Sequence, residues 1–395
     1  MKRRNATNGA KKSTATIDVG ANAGRNIAII GGGIGGLTAA LAFARQGAKV
    51  TVHEQAAAIA EVGAGLQITP NGARALAALG LADALDQIGL RAAAVQPMDA
   101  LTGHAIARFD LARQTPPYRF VHRADLIGLL ARACADAGVR IALNARITDV
   151  TAGGLPGADL TIGADGLHSI VRPVLNSAAA PFFTGQVAWR AIIPATDLPP
   201  VAQIWMAPGR HVVTYPLRAN QLNIVAVQER ASWAAEGWHH ADDPATLRAG
   251  FADCAAPLQD LLAQVDTCHL WGLFRHPVAD HWHNDRIALL GDAAHPTLPF
   301  LAQGANLAIE DAFTLARITD AKPDLAQALH AYQSARHSRV SRAITAANAN
   351  ARNYHLSGLQ RRVAHLGLKT LGKIAPDAFI NRLGWLYNFD PASSE

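Results

Sequence analysis

Cysteines are few in this 395-residue chain, and they stand far apart. Cys134, Cys254 and Cys268 are odd in number, which argues against a disulfide framework or a zinc cluster and favours a reducing cytoplasm. Long hydrophobic runs are also missing, since no apolar stretch approaches the roughly 20 residues of a membrane span. What remains is a globular composition, 50% hydrophobic and 17% charged, in a chain long enough for two domains or for one with a large insertion.

An excess of positive charge is absent outside the N-terminus. Residues 1–25 hold six basic residues and one acidic residue, so this segment accounts for nearly all of the formal net charge of +6. A nucleic-acid-binding domain spreads basic residues along a folded face, whereas the rest of this chain is nearly neutral. The segment is polar and unpatterned and lacks the apolar region of a secretory signal, so we predict a disordered basic tail over 1–25.

The first predicted unit of the folded part is a strand, a glycine-rich loop and a helix. The strand NIAII leads into GGGIGG at 31–36, and the strand after the helix ends at Glu54, 18 residues beyond the last glycine. Such glycines allow a tight turn, close approach of backbone amides to a pyrophosphate and close helix packing, while the acid reaches ribose hydroxyls. This spacing predicts dinucleotide binding, and Glu54 disfavours a 2′-phosphate at the same place.

Residues 285–312 predict a second part of the same site. The apolar run 287–290 ends abruptly, which places Asp292 at the end of a buried strand. After two prolines a helical pattern begins at Gly304, and no Ser, Thr or Asp precedes it as a cap. Amides at the positive end of that helix can meet an electron-rich ligand edge, although a plain strand, turn and core helix fits the pattern equally well.

Two further segments repeat parts of this design. The stretch 119–135 predicts a strand end followed by a helix, with Arg123 just before the helix, where it could reach a phosphate or form a surface salt bridge. The stretch 160–172 again predicts a strand followed by an Asp-Gly pair. Asp165 therefore stands at the end of a strand, in the same way as Asp292.

From 181 to 275 the chain changes to alternating strand-like runs joined by turn residues, which predicts an inserted antiparallel sheet. In the run HVVTY, His211 and Tyr215 are four residues apart and therefore share one face, with Val213 between them. Two titratable rings beside apolar groups suit a pocket for a small aromatic acid or phenol. The alternative is an ordinary sheet surface.

The remaining patterns predict no separate chemistry. Histidines at 239–240 and at 276, 281 and 283 lack carboxylates or cysteines at ligand spacing, so we expect no metal site. Beyond residue 318 the pattern is helical. Its last part mixes basic and apolar residues at helical spacing, which favours a docking or dimer surface over membrane contact.

Three motifs now stand in order: GGGIGG with Glu54, GADGLHSIVR, and GDAAHPTLPFLAQGANLAIEDA. Together they resemble the single-component (class A) FAD-dependent aromatic hydroxylases, the family of the salicylate, hydroxybenzoate and 6-hydroxynicotinate monooxygenases. The resemblance implies an α/β fold, a Rossmann-type FAD-binding domain with an inserted antiparallel β-sheet and C-terminal helices. It places the FAD-binding domain at 26–180 and 276–355, the substrate-binding sheet at 181–275 and a C-terminal helical segment at 356–395.

The resemblance also implies roles for individual residues. The expected FAD contacts are Gly31, Gly33, Gly35 and Gly36 at the pyrophosphate, Glu54 and Gln55 at the adenosine ribose, Arg123 and Asp292 at the phosphates and ribityl chain, and Gly304, Ala305 and Asn306 at the isoalloxazine. Asp165 and Arg172 match a motif linked to both FAD and the nicotinamide cofactor. Tyr215, His211 and Gln303 are the expected catalytic residues, with Tyr215 as the base and His211 as its relay. Gln67 and Pro299 join them as substrate contacts.

The implied activity is hydroxylation of a small phenolic or aromatic acid, salicylate-like or hydroxybenzoate-like, with NADH or NADPH and O2, through a flavin hydroperoxide. NAD(P)H is expected to bind transiently, because the chain holds one nucleotide fingerprint. Gln67 stands where the hydroxynicotinate enzymes carry a histidine base, which argues against that substrate. We expect a cytoplasmic monomer or homodimer with no nucleic-acid partner.

Three other functions share parts of this pattern. A flavin epoxidase or hydroxylase acting on a larger natural product keeps every FAD motif and differs only in its pocket. A flavin halogenase carries a WxWxIP signature, and here Ala191 replaces the second tryptophan after Trp189. A non-catalytic flavin-binding protein is the last alternative.

Overall fold

The computed structural model describes residues 20–59, 64–231 and 240–393, so residues 1–19 of the predicted tail lie outside it, as do Gly63 and His239. The strands are β1 (Asn26–Ile30), β2 (Lys49–His53), β3 (Gly65–Ile68), β4 (Gly89–Arg91), β5 (Ala94–Asp99), β6 (Phe109–Asp110), β7 (Arg119–His122), β8 (Arg140–Ala142), β9 (Leu160–Gly163), β10 (Phe182–Pro194), β11 (Val201–Ala207), β12 (Arg210–Leu217), β13 (Gln221–Glu229), β14 (Ala241–Asp242), β15 (Cys268–Arg275) and β16 (Ile287–Leu289). The helices are α1 (Ile34–Arg45), α2 (Pro70–Ala78), α3 (Ala82–Ile88), α4 (Arg123–Asp136), α5 (Arg172–Leu175), α6 (Pro244–Ala249), α7 (Ala256–Ala263), α8 (Gly304–Ala321), α9 (Leu325–Tyr354), α10 (Gly358–Ile374), α11 (Pro376–Arg382) and α12 (Gly384–Tyr387), with a 3-10 helix at Gly291–Ala293.

A five-stranded parallel sheet forms the first layer, in the order β16-β9-β1-β2-β8. The last residues of four of its strands lie side by side: Ile30 is paired with both His53 and Gly163, and Gly163 is paired with Leu289. The segments that follow these strands therefore meet at one edge of the sheet. This confirms that Asp165 and Asp292 both come directly after strands, and the two strands are neighbours.

The second layer is an eight-stranded sheet, in the order β14-β15-β10-β13-β12-β11-β5-β6. The predicted antiparallel strands between 181 and 275 are present, but β5 and β6 join them from the earlier part of the chain. β5 pairs in parallel with β11, and this pairing occupies an edge of β11 that would otherwise expose unpaired amides and carbonyls. Two separate stretches of the chain thus form this sheet, so a substrate-binding domain that starts at residue 181 does not contain all of it.

A small third sheet, β3-β7-β4, connects the two layers. Gly65 is the first residue of β3. A Cβ atom on Gly65 would lie 2.6 Å from the ring of Tyr215 on β12. A glycine is needed here because the backbone of β3 lies directly against that ring.

Residues 20–25 belong to the folded part, so order begins earlier than the predicted start at Asn26. The Asn22 side chain is fully buried and donates to the carbonyl of Ala316 and the hydroxyl of Thr319 on α8, each at 3.0 Å, and its backbone amide donates to Asp320 at 3.0 Å. Polar bonds to the end of α8 hold this segment. Its composition showed no apolar pattern that would predict this order.

A buried ion cluster joins α8 to α9. Arg336 is fully buried, and its guanidinium contacts the carboxylates of Glu310 and Asp311. Asp311 also accepts from His295 at 2.5 Å. Burial raises the pKa of Asp311, but the neighbouring charges of His295 and Arg336 outweigh that effect and lower it to about 2. The cluster fixes α8 in place beneath the sheet edge.

The C-terminal helices lie on the outside, and every residue of α10 keeps some exposure, with Leu359, Val363 and Leu366 each more than 60% exposed. Among the described residues, no helix is both long and apolar enough to cross a membrane. The three cysteines are buried and free. In the part of the chain that the structure describes, no three His, Cys, Asp or Glu side chains come together as a metal site.

Candidate active site

A cavity of about 290 Å³ lies between the parallel sheet and the eight-stranded sheet. One wall comes from the loop after β1 and the start of α8, and the other from β10, β12 and β13. Most of the predicted site residues line it: Gly33, Gly35, Gln67, Arg123, His211, Tyr215, Asp292, Pro299, Gln303, Gly304 and Ala305.

The glycine loop after β1 is closely packed on one side and open on the other. A Cβ on Gly36 would lie 2.0 Å from the carbonyl oxygen of Gly31, and one on Gly31, which has φ +105°, would lie 2.4 Å from the carbonyl oxygen of Ala164. Around Gly33, by contrast, no described atom lies within 4 Å of such a Cβ. The loop therefore has an open space edged by backbone amides, which fits a pyrophosphate.

Carboxylates stand beside this loop at the ends of β2 and β9. Glu54 accepts from the amide of Gly32 at 2.7 Å, which places its carboxylate at the loop. Asp165 accepts from the amide of Ile170 at 2.8 Å, while its other oxygen, Oδ1, is buried and has no hydrogen-bond partner among the described residues. Burial also raises the pKa of Asp165. A ligand hydroxyl would satisfy such an acceptor.

Asp292 and Arg123 face the cavity from opposite elements. Asp292 lies in the 3-10 helix after β16, and Arg123 begins α4. Burial raises the pKa of Asp292, and the nearby charges of His295 and Arg123 act against it. Burial likewise lowers the pKa of Arg123, which Asp292 partly offsets. The pair offers an acceptor for hydroxyls and a cation for phosphate.

The start of α8 faces the cavity with Gly304 and Ala305. As predicted, no described side chain caps the helix. Its N-cap residue, Gln303, is buried and donates to Thr69 at 3.2 Å. Asn306 lies behind the wall, where its side chain donates to the carbonyl of Gln67 at 2.9 Å. Polar contacts from the segment around Gln67 and Thr69 therefore hold the helix end, and its amides remain directed at the cavity.

Six other predicted residues do not line the cavity. Gly31, Gly36, Glu54 and Asp165 lie behind the lining residues, at the loop and the sheet edge described above, and Gln55 is exposed in the loop after β2. Arg172 donates to the carbonyls of Ala293, Ala294 and Pro277 at 2.7–3.1 Å. Its guanidinium thus supports the loop that follows Asp292.

The sheet wall carries the predicted rings. His211, Val213 and Tyr215 all line the cavity, which confirms that they share one face. Tyr215 is 3% exposed and stacks on Phe120, with ring centroids 5.0 Å apart. No described hydrogen bond joins His211 to Tyr215 as the predicted relay requires. His211 Nδ1 instead lies 2.7 Å from Nε2 of His355.

Sequence reasoning missed two contributors to this wall. Arg190 on β10 lines the cavity, with its guanidinium 4.0 Å from the centre of the Trp271 ring. The signal was a single cation inside an apolar strand run. His355 follows α9, where nothing in the local sequence separates it from other helical histidines.

An open glycine loop, an uncapped helix end and an aromatic pocket define a flavin-dependent monooxygenase fold and site. The profile of the FAD binding domain family matches residues 25–347. A 3-amino-4-hydroxybenzoate 2-monooxygenase from Streptomyces platensis is 35% identical, over 93% of this chain and 96% of that protein. A 3-hydroxybenzoate 6-hydroxylase from Aquipseudomonas alcaligenes is 33% identical, over 92% of this chain and 97% of that protein. HpxO from Klebsiella pneumoniae, crystallised with FAD and uric acid, is 26% identical with a TM-score of 0.78, over 91% of this chain and 95% of that chain.

The chain belongs to the FAD binding domain family and, within it, to the class A aromatic hydroxylases. It is an FAD-dependent aromatic monooxygenase. The predictions of fold class, cofactor and enzyme class are confirmed.

Proposed function

We propose that this enzyme uses NAD(P)H and O2 to hydroxylate a small phenolic aromatic acid. The observation that carries the proposal is the cavity itself, which brings two titratable rings and the half-buried cation of Arg190 opposite the uncapped start of α8. Relatives named for 3-amino-4-hydroxybenzoate and 3-hydroxybenzoate support the same substrate class.

Arg190 supports a carboxylate on the substrate. Burial lowers the pKa of Arg190 to about 9, with a further contribution from the charge of Arg123, so the side chain is still a cation at neutral pH. Two cations that line one cavity disfavour each other, and a bound anion offsets that repulsion. We assign the carboxylate of an aromatic acid to Arg190.

Tyr215 and His211 support a phenol. Burial raises the pKa of Tyr215, so its hydroxyl stays protonated and can donate a hydrogen bond to a phenolate. Burial lowers the pKa of His211 well below its usual range, so this ring is neutral and can accept a proton. We therefore propose His211 as the base and Tyr215 as a donor, which reverses the roles expected from the sequence.

The size of the cavity favours one aromatic ring over a larger natural product. A volume of about 290 Å³ is at the low end for ligand pockets, and the isoalloxazine takes part of it. Pro299 and Gln67 would limit the space on either side of the substrate ring.

FAD, when bound, takes electrons from NAD(P)H and delivers one oxygen atom of O2 to the aromatic ring. We propose that Gly33, Gly35, Glu54, Arg123, Asp165 and Asp292 hold it, together with the start of α8. The amides at the start of α8 would stabilise negative charge on the isoalloxazine, because no described side chain caps this helix end.

A screen of aromatic acids tests this function. Purified holoenzyme is mixed with NADH or NADPH and with one of five compounds: 3-amino-4-hydroxybenzoate, 3-hydroxybenzoate, salicylate, benzoate or phenol. The rate of NAD(P)H oxidation and the mass of the product are measured. We expect a phenolic acid to stimulate NAD(P)H oxidation and to gain one oxygen atom. Benzoate and phenol should not do so, because benzoate lacks the activating hydroxyl and phenol lacks the carboxylate. Stimulation by none of the phenolic acids would contradict the proposal.

We propose a cytoplasmic monomer or homodimer, and the exposed apolar residues of α10 are the surface on which a dimer would form. Light scattering of the wild type and of a Leu359→Ser, Leu366→Ser double variant tests this; an unchanged dimer mass in the variant would exclude α10.

A further inference from the structure

A chain of three side chains leads from the cavity to the protein surface. Nδ1 of His211 lies 2.7 Å from Nε2 of His355, and Nδ1 of His355 lies 2.7 Å from Oε1 of Glu229. His211 and His355 are buried, whereas 55% of the Glu229 side chain is exposed. We propose that His355 and Glu229 carry the substrate's phenol proton from His211 to solvent, a role that rests on the hydroxylation proposed above.

The hydrogen-bonding capacity of each group sets the tautomers. A carboxylate can only accept, so Nδ1 of His355 donates to Glu229 and its Nε2 is unprotonated. That nitrogen must then accept from Nδ1 of His211. Nε2 of His211 is left as the unprotonated nitrogen of a ring that lines the cavity, which is the state a base requires.

The transfer moves one proton through two rings. The phenol O–H bond breaks and its proton binds Nε2 of His211, while the proton on Nδ1 of His211 moves to Nε2 of His355. The proton on Nδ1 of His355 moves to Glu229 and leaves to water. After the ring is hydroxylated, a proton that returns along the same path to the product's oxygen restores both starting tautomers, so no ring has to rotate.

The surroundings explain why an exit is needed. His211 meets the rings of Phe300 and Tyr354 at centroid distances of 5.4 and 5.2 Å, and burial raises the pKa of Tyr354, so this neighbour stays uncharged. Burial lowers the pKa of His211 and of His355, while Glu229 acts to raise that of His355. A proton is therefore unstable on the inner ring and more stable toward the carboxylate.

Backbone bonds hold the three residues together, although they lie far apart in sequence. The amide of Gly209, in the turn between β11 and β12, donates to the carbonyl of His355 at 3.1 Å. The amide of Glu229 at the end of β13 donates to the carbonyl of Gly209 at 2.9 Å. The end of α9 is thereby fixed against the hairpin that carries His211.

Single-turnover hydroxylation of 3-amino-4-hydroxybenzoate by holoenzyme tests the relay, with flavin reduction by NAD(P)H measured separately. In Glu229→Ala we expect hydroxylation to slow about 10-fold or more while flavin reduction keeps its rate, since only the first needs a proton acceptor. Added acetate should restore the rate in this variant, because the carboxylate position is open to solvent. Acetate should not restore the hydroxylation rate of His355→Gln, because this variant lacks the ring that joins His211 to Glu229.

Asp253→Ala is the matched control. Asp253 is another exposed carboxylate, and it pairs with Arg210, the neighbour of His211 on β12. This variant should hydroxylate at the wild-type rate.

Three results would overturn the relay. If Glu229→Ala hydroxylates as fast as the wild type, the proton does not leave through Glu229. If Glu229→Ala is slow, acetate does not restore its rate and Glu229→Asp is equally slow, then Glu229 has a structural role alone. A wild type that hydroxylates no phenolic acid would overturn the substrate class as well, which separates failure of the function from failure of the relay.

Discussion

The two walls of the cavity are built in different ways. On the parallel sheet the wall is mostly backbone, formed by the glycine loop after β1 and the first turn of α8. On the eight-stranded sheet the wall is made of side chains, with His211 and Tyr215 contributed by β12 and Arg190 by β10. A backbone wall suits a cofactor, because its contacts require no particular side chains, whereas a side-chain wall can change with the substrate.

This difference predicts different consequences of mutation. Damage to the backbone wall should remove FAD or unfold the protein, because the loop is held by close packing. Damage to the side-chain wall should leave a flavin-loaded protein with altered chemistry. Substitutions on each side of the cavity, with matched controls, test the contrast.

Gly36→Ala should have the largest effect. The added Cβ would lie 2.0 Å from a backbone oxygen, so the loop or α1 must move. We expect loss of bound FAD and a large fall in the unfolding temperature, measured by FAD released on denaturation and by calorimetry.

Gly33→Ala is the matched control for that substitution. Its Cβ would meet no described atom within 4 Å, so the unfolding temperature of the FAD-free protein should not change while FAD affinity falls. Equal destabilisation in the two variants would contradict the account of the loop.

Arg336→Met should have the next largest effect. It removes the cation that contacts both Glu310 and Asp311, and it leaves Arg339 and His295 as their remaining partners, so we expect a cost of about 3 kcal/mol of folding free energy. The measurement is urea unfolding of the FAD-free protein. FAD binding should weaken too, because the cluster holds α8 against the cavity.

The same cluster predicts that the folding stability of the protein falls at low pH. The folded pKa of Asp311 is about 2, below its usual 3.8, so its stabilisation is present above pH 3.8 and is lost as the pH falls toward 2. That part of the acid sensitivity should be absent in Asp311→Asn. An identical pH profile of stability in this variant would contradict it.

Arg190→Met should change substrate binding and keep the flavin. Loss of a charged hydrogen bond is worth about 1.5–3 kcal/mol, so the Kd of a phenolic acid should rise about 10- to 100-fold while that of phenol stays constant. Flavin absorbance titrations measure both. Arg210→Met removes a cation outside the cavity and should change neither value; equal losses for acid and phenol in Arg190→Met would exclude a carboxylate contact.

Tyr215→Phe should have the smallest effect. Loss of one donor to the phenolate should slow hydroxylation about 10-fold without slowing flavin reduction. Rapid-mixing kinetics separate the two steps. Tyr332→Phe removes a buried hydroxyl that donates to the Leu289 carbonyl, far from the substrate wall, and should leave the ratio of the two rates unchanged.

The contrast between the walls also explains how well each could be predicted. The glycine loop, Glu54 and Asp292 were found because each follows a strand directly, and parallel strands align those positions at one edge. The shared face of His211 and Tyr215 was found because side chains alternate along a strand. Hydrogen-bond partners could not be found in this way.

Local order of residues was enough to specify the class of fold, a dinucleotide-binding loop and the strand ends beside it, because these depend on short-range periodicity and turn chemistry, whereas FAD as the particular cofactor was implied by the resemblance to a family. The pairing of β5 with β11, the approach of His355 to His211 and the position of Arg190 in the cavity were decided only when distant segments packed together. His355 and His211 are 144 residues apart in the chain, and no local pattern encodes a contact across that separation. Burial, which lowers the pKa of His211 and raises that of Tyr215, likewise arises only in the folded protein.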